Sequence, residues 1–315
     1  MTSDLDEITG KVKQFYEAHP YPGLDEKLML KGAKRLSRYF DRPGKILYPG
    51  CGTGHGVVSM AKIRPDLEAF GVDLSEPSLE LAALLAKKHD VVVEFAQANY
   101  MKPLPWPFKF QYISLEGTLH HAANPETALK NLVNHLEDDG IVFINLYGKK
   151  YHRRKFEIIE ALDLLQQGDI NLEERYALFK AMQKRLKHKS IKDRVMDASL
   201  RVVWHWIYKS HRSIRNRLSN THAVVAYTEE FPEFNPLWID AYSNPNEQTF
   251  DIWDAKNLLE SADLEVVDML SLGRVNIEDL PEPWIPFFNK LDNWNKRRVM
   301  ELYYPQTGSL GIVAR

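Results

Sequence analysis

Only one cysteine, Cys51, stands in this chain of 315 residues. A lone thiol forms no internal disulfide and no multi-cysteine zinc site. Long apolar runs are also missing, and none approaches the ~18 residues that would span a bilayer. The opening MTSDLDEITGKVKQ is acidic where a secretory leader is basic, and no apolar core follows it. Neither sign of charge dominates: 41 Lys and Arg stand against 43 Asp and Glu, a net of -2. A global attraction to nucleic acid or an anionic membrane is therefore not expected. There is no tandem repeat and no low-complexity tract. With 44% hydrophobic and 27% charged residues, the chain has the balance of a packed globular protein. The length allows two domains, or one with insertions. These absences predict a cytoplasmic enzyme or binding protein, with no membrane partner and an oligomeric state left open.

Residues 42–148 alternate short apolar runs with helical patterns. The runs are Lys45–Tyr48, Leu67–Val72, Val91–Phe95, Phe110–Leu115 and Ile141–Leu146. Between them His55–Ile63, Pro77–Lys88 and Pro125–Leu136 carry apolar residues at helical spacing. Strands separated by single helices predict βαβ units and a parallel sheet covered on both faces. From 149 to 217 the pattern turns mainly helical and basic, with 18 Lys/Arg against 8 Asp/Glu. The rhythm returns with a helix at Phe250–Ala262 and strands at Leu264–Leu270 and Ser309–Ala314. The predicted layout is an N-terminal helical cap (1–41), an α/β core (42–149), a basic helical insertion (150–249) and completion of the core sheet (250–315).

The most informative stretch is KILYPGCGTGHGVV at 45–58. An apolar strand runs into Gly50, Gly52 and Gly54, and a helix follows. Glycine suits a tight strand-to-helix turn, and it lets a ligand approach the backbone. Free N–H groups at a helix start favour polar or anionic ligand groups. The dinucleotide spacing G-x-G-x-x-G fails in both registers, because its last position falls on His55 or Val57. The second strand ends in AFGVDLS, which puts Asp73 where a carboxylate can accept both ribose hydroxyls of an adenosine.

In GCGTG the chain resembles the class I S-adenosylmethionine-dependent methyltransferases. The stretches AQANY, LEGTLHHAANPETALKNL and HLEDDGIVFINLYGK extend the resemblance. FYEAHPYPG and the C-terminal LDNWNKRRVMELYYPQTGSLGIVAR resemble a narrower bacterial branch, often joined to tetratricopeptide repeats that this chain lacks. The resemblance implies a Rossmann-like, seven-stranded, mostly parallel sheet with an antiparallel last strand. It implies S-adenosylmethionine as cofactor and S-adenosylhomocysteine as product. It assigns Gly50, Cys51, Gly52, Thr53 and Gly54 to the cofactor's methionine part, Asp73 and Leu74 to its ribose, and Ala98 and Asn99 to its adenine. Glu116 and Gly117 line the side of the fourth strand. One departure stands at Tyr48, where the family often has an acidic residue two positions before the first glycine.

Cys51 between two glycines also reads as a small residue in a tight place. Tyr16 and Tyr21 fit either a packing staple or a lid that donates hydroxyls to the cofactor and excludes water. His120 and His121 are candidates for a catalytic base; as neighbours at a helix start, at most one is expected to face a substrate. Tyr147, Asp240 and Tyr242 are candidates for acceptor binding. No metal triad is evident: His205 and His211 are scattered, and Glu229, Glu230 and Glu233 read as a solvated acidic loop. A small organic acceptor is expected, because Trp238, Trp284, Phe287, Phe288 and Trp294 could line an apolar pocket. Metal-independent, in-line transfer under a cap would then rest on positioning. Three alternatives stay open, one of them a nicotinamide-dependent oxidoreductase, which the failed dinucleotide spacing opposes. An RNA methyltransferase could grip phosphates through 149–217 and stack bases on RVVWHWIYKSHR, although alternation there also fits a buried stripe. A non-catalytic adenosine-ligand-binding protein is the third.

Overall fold

The computed structural model describes residues 2–23, 31–167, 170–187, 236–270, 280–303 and 309–315. Seven strands form one sheet in the order β3-β2-β1-β4-β5-β7-β6. They are β1 (Gly44–Pro49), β2 (Leu67–Asp73), β3 (Val93–Gln97), β4 (Phe110–Glu116), β5 (Leu136–Tyr147), β6 (Val266–Met269) and β7 (Ser309–Ala314). The strands β1 to β5 pair in parallel, and β7 runs antiparallel to both β5 and β6. The expected Rossmann-like fold is present, antiparallel last strand included. Its chemistry is visible in the central strands: Ile46 to Pro49 of β1 and Ala69 to Asp73 of β2 are all buried. Strands buried on both faces need near-continuous apolar runs, which these are.

The crossover helices are α3 (His55–Ile63), α4 (Glu76–Lys88) and α5 (Pro125–Asn134). Ser75 caps α4 by accepting from the N–H of Ser78, and Asn124 caps α5 by accepting from that of Thr127. Each helix then opens with a proline in its first turn, where the missing N–H costs nothing. One apolar cluster packs α5 and the C-terminal helices against the sheet, and another packs α3 and α4 against its other face.

Ahead of the sheet lie α1 (Thr2–Ala18) and α2 (Lys31–Leu36). After β5 come α6 (Lys149–Gln166), α7 (Leu172–Lys187) and α8 (Pro236–Ser243), then α9 (Ile252–Ser261), α10 (Ile285–Phe288) and α11 (Asn293–Tyr303). Ile158, Leu162, Phe179, Trp238, Ile239 and Tyr242 form a third apolar cluster shared by α6, α7 and α8, with Phe15 of α1 packed against it. The run 201–212, with His205 and His211, and the acidic trio Glu229, Glu230 and Glu233 lie outside the described residues.

Candidate functional site

A cavity of about 310 Å³ opens at the carboxyl ends of β1, β2 and β4. This is where open α/β sheets place their ligands, beside the point at which strand order reverses. The strand ends deliver Gly50, Cys51 and Gly52 from β1, Asp73 and Leu74 from β2, and Glu116, Gly117 and Thr118 from β4. The N-terminal segment closes it with Val12, Tyr16, Tyr21 and Pro22.

The turn after β1 is shaped by close approach. Gly50 has φ +62°, and a Cβ there would lie 2.1 Å from Thr118 Oγ1. Gly52 has φ +52°, and a Cβ there would lie 2.5 Å from the carbonyl oxygen of Tyr21. L side chains are strained in this region of φ. The absent side chains let the N-terminal segment lie on the loop. Thr53 donates its N–H to Tyr21 O (3.0 Å) and its hydroxyl to Gly23 O (2.7 Å).

Asp73 is buried, and each carboxylate oxygen accepts one backbone N–H: Oδ2 from Gly52 (2.8 Å) and Oδ1 from Ser75 (2.9 Å). Burial raises its pKa, and these N–H groups partly restrain the rise. Glu116 is also held above its ordinary value by burial, against a hydrogen bond from Ser114 (3.0 Å). Tyr48 faces this carboxylate: a Cβ on Gly56 would lie 2.9 Å from Tyr48 Cε1 and 3.7 Å from Glu116 Oε1. A carboxylate at the end of β4 thus sits where Tyr48 leaves β1 without one. Burial, reinforced by Asp73, pushes the Cys51 thiol well up, which favours the unreactive form.

Gly50, Cys51, Gly52, Asp73, Leu74, Glu116, Gly117, Tyr16 and Tyr21 all line the cavity; Thr53, Gly54, Ala98 and Asn99 do not. Thr53 is fully buried with its hydroxyl turned to Gly23, and Gly54 is the N-cap of α3, against Ala82. Ala98 donates its N–H to the Asp73 carbonyl, and Asn99 turns its side-chain oxygen back onto the N–H of Met101 (2.9 Å). Sequence reading omits Tyr100, Thr118, Ser59, Ser78 and His55, which also line the cavity. Thr118 sits inside the quoted LEGTLHH, so its position was the available signal. Nothing local marks Tyr100, whose hydroxyl reaches the Thr118 carbonyl at 3.2 Å.

The histidines lie in the turn Leu119–His121. Only His121 lines the cavity; His120 is fully buried behind it. The tight turn nonetheless brings their rings within 4.2 Å, closer than helical geometry suggests. Tyr147 is stacked between His120 (3.8 Å) and His152 (4.1 Å), away from the cavity lining. Asp240 accepts from the Tyr16 hydroxyl (2.7 Å) and from Asn244 (3.2 Å), so it meets the site only through Tyr16. Tyr242 sits in the apolar cluster of α6, α7 and α8, 4.6 Å from the Phe179 ring. The five aromatic residues expected to share a pocket are not gathered. Trp238 belongs to that same cluster, while Trp284, Phe287 and Phe288 line a separate groove along α10 and α11. Trp294 packs against the main core. They belong to four different elements, and Trp284 and Phe287 are exposed.

A family model described as a methyltransferase domain matches residues 41–196. An uncharacterized protein of Synechococcus sp. is 27% identical over 177 residues, 51% of this chain and 42% of that protein. A ubiquinone biosynthesis O-methyltransferase of Azoarcus sp. is 27% identical over 131 residues, 39% of this chain and 54% of that protein. Among solved structures, PKMT2 from Rickettsia typhi in complex with AdoHcy superposes with a TM-score of 0.61 at 16% identity. That match covers 86% of this chain and 48% of the other, so the likeness is one of fold. The chain spans about half the length of these relatives.

Proposed function

We propose that this chain, which belongs to the class I S-adenosylmethionine-dependent methyltransferases, passes the methyl group to a small organic acceptor held beneath an N-terminal cap. The observation that carries this reading is the cavity itself. It combines a backbone stripped of Cβ atoms at Gly50 and Gly52 with a buried carboxylate, Asp73, at the end of β2. Those features suit a nucleoside with a polar amino-acid tail. In this proposal Asp73 accepts from ribose hydroxyls, Glu116 faces the tail's ammonium, and the backbone of Gly50, Cys51, Gly52 and Gly117 borders the tail. Leu74 packs beside the ribose, and Ala98 and Asn99 supply backbone near the adenine.

Bound S-adenosylmethionine brings a sulfonium methyl that is already an electrophile. The protein therefore contributes chiefly by holding the acceptor in line and excluding water, and no ion is needed in the transfer itself. Tyr16 and Tyr21, half-buried and held well above their ordinary pKa chiefly by burial, keep their protons and close the cavity; Tyr16 spends its hydroxyl proton on Asp240. His121 is the group placed to take a proton from a hydroxyl acceptor.

The basic stretch favours a small acceptor over nucleic acid. Lys149 pairs with Asp254, Arg153 and Arg154 with Glu157, Lys155 with Glu247 and Arg175 with Asp163. Lys150 donates to the Leu302 carbonyl. Of these cations Lys155 and Arg175 are buried on their partners, and the others are exposed. The basic residues from Lys189 to Arg217 lie outside the described residues.

The test uses S-adenosylmethionine carrying a labelled methyl group, incubated with the protein and a cell extract, with and without nuclease. Label is expected in the small-molecule fraction, insensitive to nuclease. Label lost on nuclease treatment would reassign the acceptor to nucleic acid. Tight S-adenosylhomocysteine binding without label in any fraction would make the chain a ligand-binding protein only.

A further inference from the structure

At and behind the cavity wall lie three groups, of which His120 and Glu247 have no task in methyl transfer. One ligand atom each from His120, His121 and Glu247 lies within 4.8 Å of the other two. His120 is 0% exposed and the Glu247 side chain 4%. Neither ring nitrogen of His120 has a hydrogen-bond partner of good geometry. A buried polar atom left unpaired is costly, so this imidazole is built for something that fills it. His121 Nδ1 lies 2.9 Å from the Asn246 carbonyl. A carbonyl only accepts, so Nδ1 carries the hydrogen and Nε2 is left as a ligand atom. A carbonyl behind a histidine is the usual outer support of a metal-bound imidazole.

We propose that His120, His121 and Glu247 bind one divalent transition-metal ion, such as zinc or cobalt(II). Two neutral imidazoles and a carboxylate suit such ions, and three protein ligands leave a position for water. Tetrahedral bonds of about 2.0–2.2 Å set two donors about 3.4 Å apart, so the trio closes by up to about 1.4 Å on binding. The ion joins the turn after β4 to the segment between α8 and α9, and fixes the His121 wall of the cavity. It does not touch the transferred methyl, and while it is bound His121 has no lone pair left to act as a base.

One group opposes it. Lys155 donates to Glu247 Oε1 at 2.6 Å and lies 4.8 Å from the centre of the Tyr147 ring. Its ammonium repels a second cation, so occupancy sets ion against lysine for the same carboxylate. That competition makes the assignment testable.

Chelator-treated protein, free of cofactor and acceptor, would be titrated with cobalt(II) and with zinc. Cobalt is expected to give a visible ligand-field absorption saturating at one ion per chain, and zinc to raise the melting temperature. His120→Ala and Glu247→Gln should each weaken binding by at least about tenfold. Lys155→Met should tighten it. Circular dichroism checks that each variant folds, and Glu247→Gln, the gentler change, keeps the test decisive if His120→Ala does not. Absence of absorption and of a thermal shift in the unmodified protein would overturn the proposal. Binding only in Lys155→Met would also overturn it, because Lys155 is then the resident cation. Unchanged affinity in both ligand variants would place the ion elsewhere. S-adenosylhomocysteine affinity, measured separately, reports on the methyltransferase reading alone.

Discussion

Asp73 concentrates the residue-scale chemistry. Both carboxylate oxygens are engaged by backbone N–H groups, yet each keeps lone-pair capacity toward the cavity. Replacing Asp73 with Ala removes a charged hydrogen-bonding group from the proposed ribose contact. Loss of such contacts costs about 1.5–3 kcal/mol, or roughly one to two decades of affinity. Calorimetry with S-adenosylhomocysteine checks this, and unchanged affinity in a folded variant would remove Asp73 from the ribose. Acidity gives a second handle. Burial raises the folded pKa of Asp73, so its carboxylate takes up a proton at a higher pH than an unfolded aspartate. Cofactor affinity should therefore fall on acidification from above the ordinary aspartate range, and this limb should vanish in Asp73→Asn. Stability moves the other way. The folded state binds that proton more readily than the unfolded state, so ionised Asp73 costs stability at neutral pH, and the cost is relieved as pH falls through the folded pKa.

At the scale of elements, the cap is held to the core by a few long-range contacts. The Tyr16 hydroxyl on α1 donates to Asp240 on α8 (2.7 Å) and accepts from Asn244 (2.7 Å). Tyr16→Phe removes both bonds and leaves buried Asp240 short of a donor, at a cost of about 1–3 kcal/mol. The urea midpoint should drop accordingly, and an unchanged midpoint would mean that α1 and α8 are not coupled through this pair. Gly52→Ala forces a side chain into left-handed backbone, costing about 1–2 kcal/mol, and pushes it against the Tyr21 carbonyl. It should weaken cofactor binding and loosen the N-terminal segment together, read as faster proteolysis near residues 19–23. Such contacts explain what was legible beforehand. Helix His55–Ile63 and strand Ser309–Ala314 match the pattern residue for residue, because local periodicity and a glycine turn determine them. The strand β5 begins at Leu136 rather than Ile141, because Leu136 pairs with Phe110 across polar Glu137, Asp138 and Asp139. The cavity floor was legible in GCGTG, Asp73 and LEGTLHH, each next to a strand end. Its lid partner Asp240 and the Lys155–Glu247 pair were not, since their partners stand 224 and 92 residues away and carry no local signature.

For the whole molecule the question is how an uneven charge distribution is spent. The net charge is only -2, yet residues 149–217 carry 18 basic against 8 acidic side chains. A chain that gripped a nucleic-acid backbone would keep such charge exposed and unpaired, so that binding releases counterions. Along α6 and the start of α7 two cations do the reverse, while Arg153 and Arg154 stay exposed. Lys155 is 1% exposed on Glu247, Arg175 is 1% exposed on Asp163, and Arg153 and Arg154 share Glu157. Burying a charge requires a partner and commits it to the fold, which leaves it unavailable to a phosphate. Lys155 and Arg175 thus brace α6 and α7 against their neighbours. The expected consequence is a weak salt response. A protein making five phosphate contacts would lose about 500-fold in affinity between 50 and 200 mM salt, from a slope of about −0.9 per contact. Methyl transfer to the small-molecule fraction of a cell extract should instead change by less than about fourfold over that range, because a single such contact accounts for about 3.5-fold. The measurement is the initial rate of label transfer at subsaturating extract across a salt series. A steep fall would show that charges beyond the paired ones meet the acceptor, and the capped cavity would then be the end of a longer polyanion-binding surface.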